Sequence, residues 1–162
     1  MARLDKRAIV EKVRAVLAKE MDVLRQSAAA AREGATHEQA KPEGDKDTRA
    51  IEASYLAGAQ AGRLRVLEAA DKRLEFLDLR DFKPADPIGP GALVEVDVDG
   101  KRSHYFVADA AGGTKVDIGG VEVAVLTPEA PLAQSLLGKK TGESFERTVR
   151  GEALEYEIVS VS

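Results

Sequence analysis

The chain contains no cysteine and no tryptophan, and its two histidines, His37 and His104, are the full complement in 162 residues. Without thiols it can form no disulfide, no thiolate nucleophile and no Cys-based zinc or iron–sulfur site, and two separated histidines do not make a His-rich metal centre. A metal here would have to be held by carboxylates. Long apolar runs are missing too: no stretch approaches the roughly 18 uninterrupted apolar residues that a membrane-crossing helix needs. The start, Met1-Ala2-Arg3-Leu4-Asp5-Lys6-Arg7, lacks the apolar segment and cleavage site of a secretory signal. A cytoplasmic protein with no membrane partner is expected. Nor is there an excess of positive charge. The net charge is −4, unlike a strong duplex-DNA binder, which concentrates basic residues on one face.

What is present suits a folded protein. Hydrophobic residues make up 44% and charged residues 32%, enough apolar material for a core under a well-solvated surface. The length fits one ordinary domain or two small ones. The charge is uneven: residues 1–80 carry a net +2 and residues 81–162 a net −6. The two halves also differ in periodicity.

In the first half, no Gly or Pro interrupts Leu4 to Glu33, and Val10, Val13, Leu17, Met21, Leu24, Ala28 and Ala31 recur every three or four residues. That spacing predicts one apolar stripe on a long helix. A second run, from about Asp47 to Leu79, places Leu56, Leu67, Ala70, Leu74 and Leu77 on a similar pattern that passes through Ala53, Gln60 and Arg63. The two predict an antiparallel hairpin over 1–81, its tip loop near 34–47 and Asp47 or Thr48 capping the returning helix. Small residues, Ala29 to Ala31, Ala53, Ala57 to Ala59, Ala61 and Gly62, gather toward the tip, where they would let two backbones come close. A helix of this length is on the order of 45 Å long, more than a compact domain needs, so the hairpin should project. Pro84, Pro87, Pro90 and the Gly89 to Gly91 turn predict a linker over 82–91.

From Ala92 the period becomes two. Val94, Val96 and Val98 alternate with acids, Asp99-Gly100 is a tight-turn signal, and Ser103 to Val107 reads as the returning strand. Further strands are predicted near 121–126, 143–150 and 154–161. Between them, Pro131 to Leu137 before Gly138 reads as a short helix with proline in its first turn and glycine past its end. The fold class is therefore α+β, with a small, mostly antiparallel sheet over 92–162. The two histidines read as ordinary surface or strand residues. Arg14, Lys19, Arg25 and Arg32 are interspersed with Glu11, Glu20, Asp22 and Glu33, which predicts a solvated face of mixed ion pairs.

This order of elements, with Pro131-Leu-Ala-Gln-Ser-Leu-Leu-Gly-Lys139, Thr141-Gly142 and Glu155-Tyr-Glu-Ile-Val159, resembles the bacterial Gre (GreA/GreB-type) transcript-cleavage factors. Ala31-Arg32-Glu33-Gly34, Gly58 and Gly62-Arg63-Leu64 extend the likeness into the helical half. The resemblance implies an antiparallel coiled coil followed by an FKBP-like domain. It implies a partner, RNA polymerase, whose secondary channel the coil enters, with nascent RNA met only indirectly. The factor would not be an enzyme itself; it would assist the polymerase's own RNA cleavage.

By the same resemblance, acidic residues at the tip help to hold a second Mg²⁺ shared with the polymerase. The matching positions are Glu43, Asp45 and Asp47, with Glu43 and Asp47 as metal ligands and Glu38 further off. Glu129, Pro131 and Leu132 match the segment that docks at the polymerase rim, and an equally open reading is a helix start packed on its own sheet. The tip Glu43-Gly-Asp-Lys-Asp47 departs from the family's acidic-Leu-Lys-Glu-Asn pattern. That keeps open a second reading, a channel-binding regulator that modulates or inhibits the polymerase without promoting cleavage. A third, prolyl isomerase activity, is disfavoured by the few aromatic residues. A monomer is expected.

Overall fold

A computed structural model describes residues 3–38 and 46–162, and for 34–38 and 46–50 it describes the backbone alone. Two helices lead, α1 (Lys6–Glu38) and α2 (Lys46–Glu75). They are followed by β1 (Leu93–Val98), β2 (Lys101–Val107), β3 (Lys115–Ile118), β4 (Val121–Leu126), α3 (Pro131–Leu136), β5 (Ser144–Val149) and β6 (Glu152–Val161). The strands form one sheet in the order β3-β4-β2-β1-β6-β5. Every pairing is antiparallel except that of β2 with β4. The fold class is α+β, as the change of period predicts.

The chain divides into two compact units, one of Met1–Arg14 with Arg73–Ser162, the other of Ala15–Lys72. The first contains the sheet. Alternation in β1 sends Val94 and Val96 to one face, where they join Val107, Tyr156, Ile158 and Val161 in a core that α3 closes with Leu132 and Leu136. The β1–β2 hairpin turns on Asp99 and Gly100, both at positive φ (52° and 82°), and the Asp97 carboxylate accepts the Gly100 N–H at 2.9 Å. This is the tight-turn geometry that an Asp-Gly pair favours.

Segment 82–91, expected as a linker, contributes two side chains to this core. Phe82 and Ile88 are buried with the strand valines. Ile88 donates its N–H to the Lys139 carbonyl at 2.8 Å and accepts that of Gly138 at 3.0 Å. Its prolines break helical periodicity, but Ile88 between Pro87 and Pro90 packs, as does Phe82 just before them. The division between units falls instead within α1 and α2. Ile9, Val10, Val13 and Leu74, from the first turns of α1 and the last of α2, are buried in the sheet-containing unit. Lys12 and Arg73 there donate to the carbonyls of Asp117 and Asp109.

In the second unit, Leu17 and Met21 of α1 and Leu67 of α2 are buried. Gln60 meets Ser27 and Arg63 meets Glu20 across the two helices. The expected stripe holds in α1 as far as Met21, but Leu56 and Ala53 of α2 and Ala31 of α1 are exposed. Nor do the small residues mark a close approach, since a Cβ added at Gly58 or Gly62 meets nothing within 4 Å. Helix α1 also passes through Gly34 to Glu38, into the stretch predicted as loop. A helical glycine costs about 1 kcal/mol, too little to end a long helix by itself. Strand β3 is a further element that the sequence reading omits; its alternation, Lys115-Val-Asp-Ile118, is only four residues long.

Candidate functional site

Each residue singled out from sequence falls into one of three environments. Glu43 and Asp45 lie outside the described residues. Asp47 lies in the first turn of α2, and its side chain is likewise outside. Among the described residues no three His, Asp or Glu side chains come together to hold an ion. Oxygen donors of the Asp and Glu type are what Mg²⁺ prefers, and Glu43, Asp45 and Asp47 are of that type.

The helical surface of Ala15–Lys72 is laced with ion pairs. Arg63 gives the Glu20 carboxylate two hydrogen bonds, at 2.9 and 3.0 Å, and Arg25 lies 3.6 Å from Asp22 and 3.4 Å from Glu68. These cations already have acidic neighbours. The face reads as mixed charge, as the interleaved sequence predicts, and such exposed pairs contribute little each.

The start of α3 separates the three residues matched to a docking segment. Ala130 precedes the helix in extended conformation and Pro131 occupies its first turn, where a missing N–H costs nothing. Glu129 and Pro131 are exposed, while Leu132 is 9% exposed and belongs to the core. The two open readings thus divide between residues: Leu132 packs on its own sheet, and Glu129 and Pro131 face outward. Gly138, at φ +83°, ends the helix.

Two further clusters escape the sequence reading. Lys6 is the buried charged side chain among the described residues, and its ammonium donates to the carbonyls of Arg80 at 2.6 Å and Gly91 at 2.8 Å. It also sits 5.1 Å from the centre of the Phe82 ring. Burial holds its pKa below the ordinary lysine value; Asp81 opposes that shift, and Arg3 and Arg80 add to it. The signal was available, because Lys6 lies four residues before Val10 on the same apolar stripe. The second cluster lies on β1 and its neighbours, where Glu95 takes hydrogen bonds from Arg102 at 3.1 Å and Ser160 at 3.4 Å, with His104 at 3.9 Å. Cross-strand register brings these together and linear sequence does not.

A pair of ion-paired helices precedes an antiparallel-rich sheet whose α3 begins with an exposed Glu129 and Pro131. Comparison with known proteins gives the family. The model of the "Transcription elongation factor, GreA/GreB, C-term" family matches residues 83–162. Transcription elongation factor GreA of Rhizobium etli (strain CIAT 652) is 31% identical over 118 residues, 68% of this chain and 70% of that protein. GreA of Mesorhizobium japonicum is 31% identical over 117 residues, covering 67% and 69%. Among solved structures, Thermus aquaticus Gfh1 overlaps 91% of this chain and 92% of its own at 17% identity, with a TM-score of 0.39. The chain belongs to the GreA/GreB family of transcription elongation factors.

Proposed function

We propose that the protein binds RNA polymerase through its secondary channel and stimulates cleavage of backtracked RNA, without being an enzyme itself. The observation that carries this reading is the likeness to GreA proteins, whose 118 aligned residues outrun the 83–162 match and so take in part of the helical half. In this reading α1 and α2 are an antiparallel coiled-coil hairpin. Support comes from partners whose numbers fall along α2 as they rise along α1, from Arg14 with Glu75 to Ser27 with Gln60. The sheet with α3 is the FKBP-like domain, and Glu129 and Pro131 are its outward contacts with the polymerase rim. Such a factor works as a monomer in the cytoplasm, where the polymerase is, and meets nascent RNA only indirectly.

Glu43 and Asp47, with Asp45 between them, are the carboxylates that would hold a Mg²⁺ shared with the polymerase. When bound, such an ion polarises the phosphodiester and lowers the pKa of an attacking water. This chain's own part is to carry negatively charged oxygens on residues that follow α1 and reach into the first turn of α2.

The second reading, a channel-binding regulator that does not promote cleavage, is favoured by the tip sequence Glu43-Gly-Asp-Lys-Asp47, which lacks the family's Leu-Lys-Glu run. One experiment separates the two: the purified protein is added to a stalled, backtracked elongation complex with Mg²⁺, and the RNA 3′ end is followed. Shortening is expected. Binding without shortening would establish the regulator, and absence of binding would overturn both.

A further inference from the structure

Packing is distributed unevenly along the helical pair of Ala15–Lys72. At one end Leu17, Met21 and Leu67 are buried, flanked by the Arg63–Glu20 and Arg25–Glu68 ion pairs. Further along, Leu24 and Ala28 of α1 are half-buried and Ala29 to Ala31 exposed. On α2, Ile51, Tyr55 and Leu56 keep 57%, 78% and 59% of their surface in contact with solvent, as Val23 and Val66 do in the first stretch, but here no described apolar side chain is buried beside them. Large apolar side chains are present there but bury little against α1.

Between the two stretches stands a polar contact. Gln60 donates through Nε2 to the Ser27 hydroxyl at 2.9 Å, while its own Oε1 is buried without a hydrogen bond. Turning the amide over would let Ser27 donate to Oε1, but would leave Nε2 unmet instead. Either orientation leaves one polar end unsatisfied, so this layer holds the helices less well than an apolar pair would.

We infer that the helical pair consists of two cooperative blocks that meet at the Ser27–Gln60 layer. Residues 15–24 with 63–72 form a tight block, and residues 28–33 with 51–59 open independently of it. Few buried apolar contacts and many solvent-exposed backbone hydrogen bonds are the features that give a segment its own low opening free energy. The functional consequence rests on the proposed polymerase binding: a partner that seats the distal block must order it, so affinity is set partly by this layer.

The test is amide hydrogen exchange on the full-length protein, alone and with core RNA polymerase. In the free protein, amides of 28–33 and 51–59 should exchange at least ~10-fold faster than those of 15–24 and 63–72. Gln60→Leu should slow the distal set alone, and Ser27→Ala should speed it alone; simple end-fraying would respond to neither. Exchange of all four stretches within about twofold of one another, or an unmoved distal set in both variants, would overturn the inference. Polymerase should protect the distal set of the wild type. Two blocks in the free protein without that protection would leave the inference standing and overturn the polymerase reading and the affinity consequence together.

Discussion

The Lys6 ammonium lies 2.8 Å from the carbonyl oxygen of Gly91, a residue 85 positions further along the chain. With its second bond to Arg80, this ties the first turn of α1 to the segment that leads into β1. Lys6→Met keeps most of the side-chain volume but leaves both carbonyls unmatched, and about 2 kcal/mol of stability should be lost at neutral pH. The pH dependence has a definite sign. Burial lowers the folded-state pKa below that of the unfolded chain, so between the two values the unfolded state binds more protons. Wild-type stability should therefore gain from Lys6 as pH rises from the folded pKa toward 10.5, and the variant should lack that gain. Urea melts of both proteins from pH 7 upward check it; parallel curves would show that Lys6 contributes no pH dependence.

Gly91 is held at φ +88°, and a methyl group added there would overlap the Asp78 carbonyl oxygen. Gly91→Ala should cost at least ~2 kcal/mol, from the left-handed backbone and the clash together. The helical Gly58 has open space around its Cβ position and no positive φ. Gly58→Ala should stabilise by about 1 kcal/mol through helix propensity. Opposite signs in thermal unfolding are the expected outcome, and a destabilised Gly58→Ala would mean that the helices come closer there than the structure has them.

The sheet-containing unit was largely legible in the sequence. Valine alternation in β1, the Asp99-Gly100 turn and the Pro131 to Gly138 helix are each encoded within a few residues, so local pattern suffices. Strand β3 escaped because four residues give alternation too little length to stand out. The burial of Phe82 and Ile88 in segment 82–91 escaped for a different reason: its prolines state what the backbone cannot do, while burial depends on a core assembled from distant strands. Ion pairing on the helices followed from interleaved charges. The Glu95 cluster did not, because its members meet only through strand register. For the candidate site, sequence supplied residue types, and the structure divided the α3 trio by burial.

That division makes a prediction of its own. Leu132→Ala empties a core position and should cost about 2–4 kcal/mol, with any loss of polymerase binding following from unfolding. Glu129→Ala and Pro131→Ala change exposed side chains and should leave stability within about 0.5 kcal/mol of the wild type. If these two face the polymerase rim, each should weaken binding at unchanged melting temperature. A stability loss at Glu129, or full binding in the double variant, would remove this surface from the interface.

The tip carboxylates carry the sharpest functional prediction. Changing Glu43, Asp45 and Asp47 together to Ala should lower RNA cleavage by at least ~100-fold, a typical loss when groups that stabilise a transition state are removed. Polymerase affinity should change little if docking lies, as proposed, at Glu129 and Pro131. The single variants Glu43→Gln and Asp47→Asn test the metal role more directly. Each replaces a charged oxygen ligand with a neutral amide of the same shape, so each should raise the Mg²⁺ concentration that gives half-maximal cleavage. Cleavage lost at every Mg²⁺ concentration would point to placement of the RNA or the water rather than of the ion. An unchanged Mg²⁺ titration in both variants, with cleavage intact, would take these two residues out of the reaction.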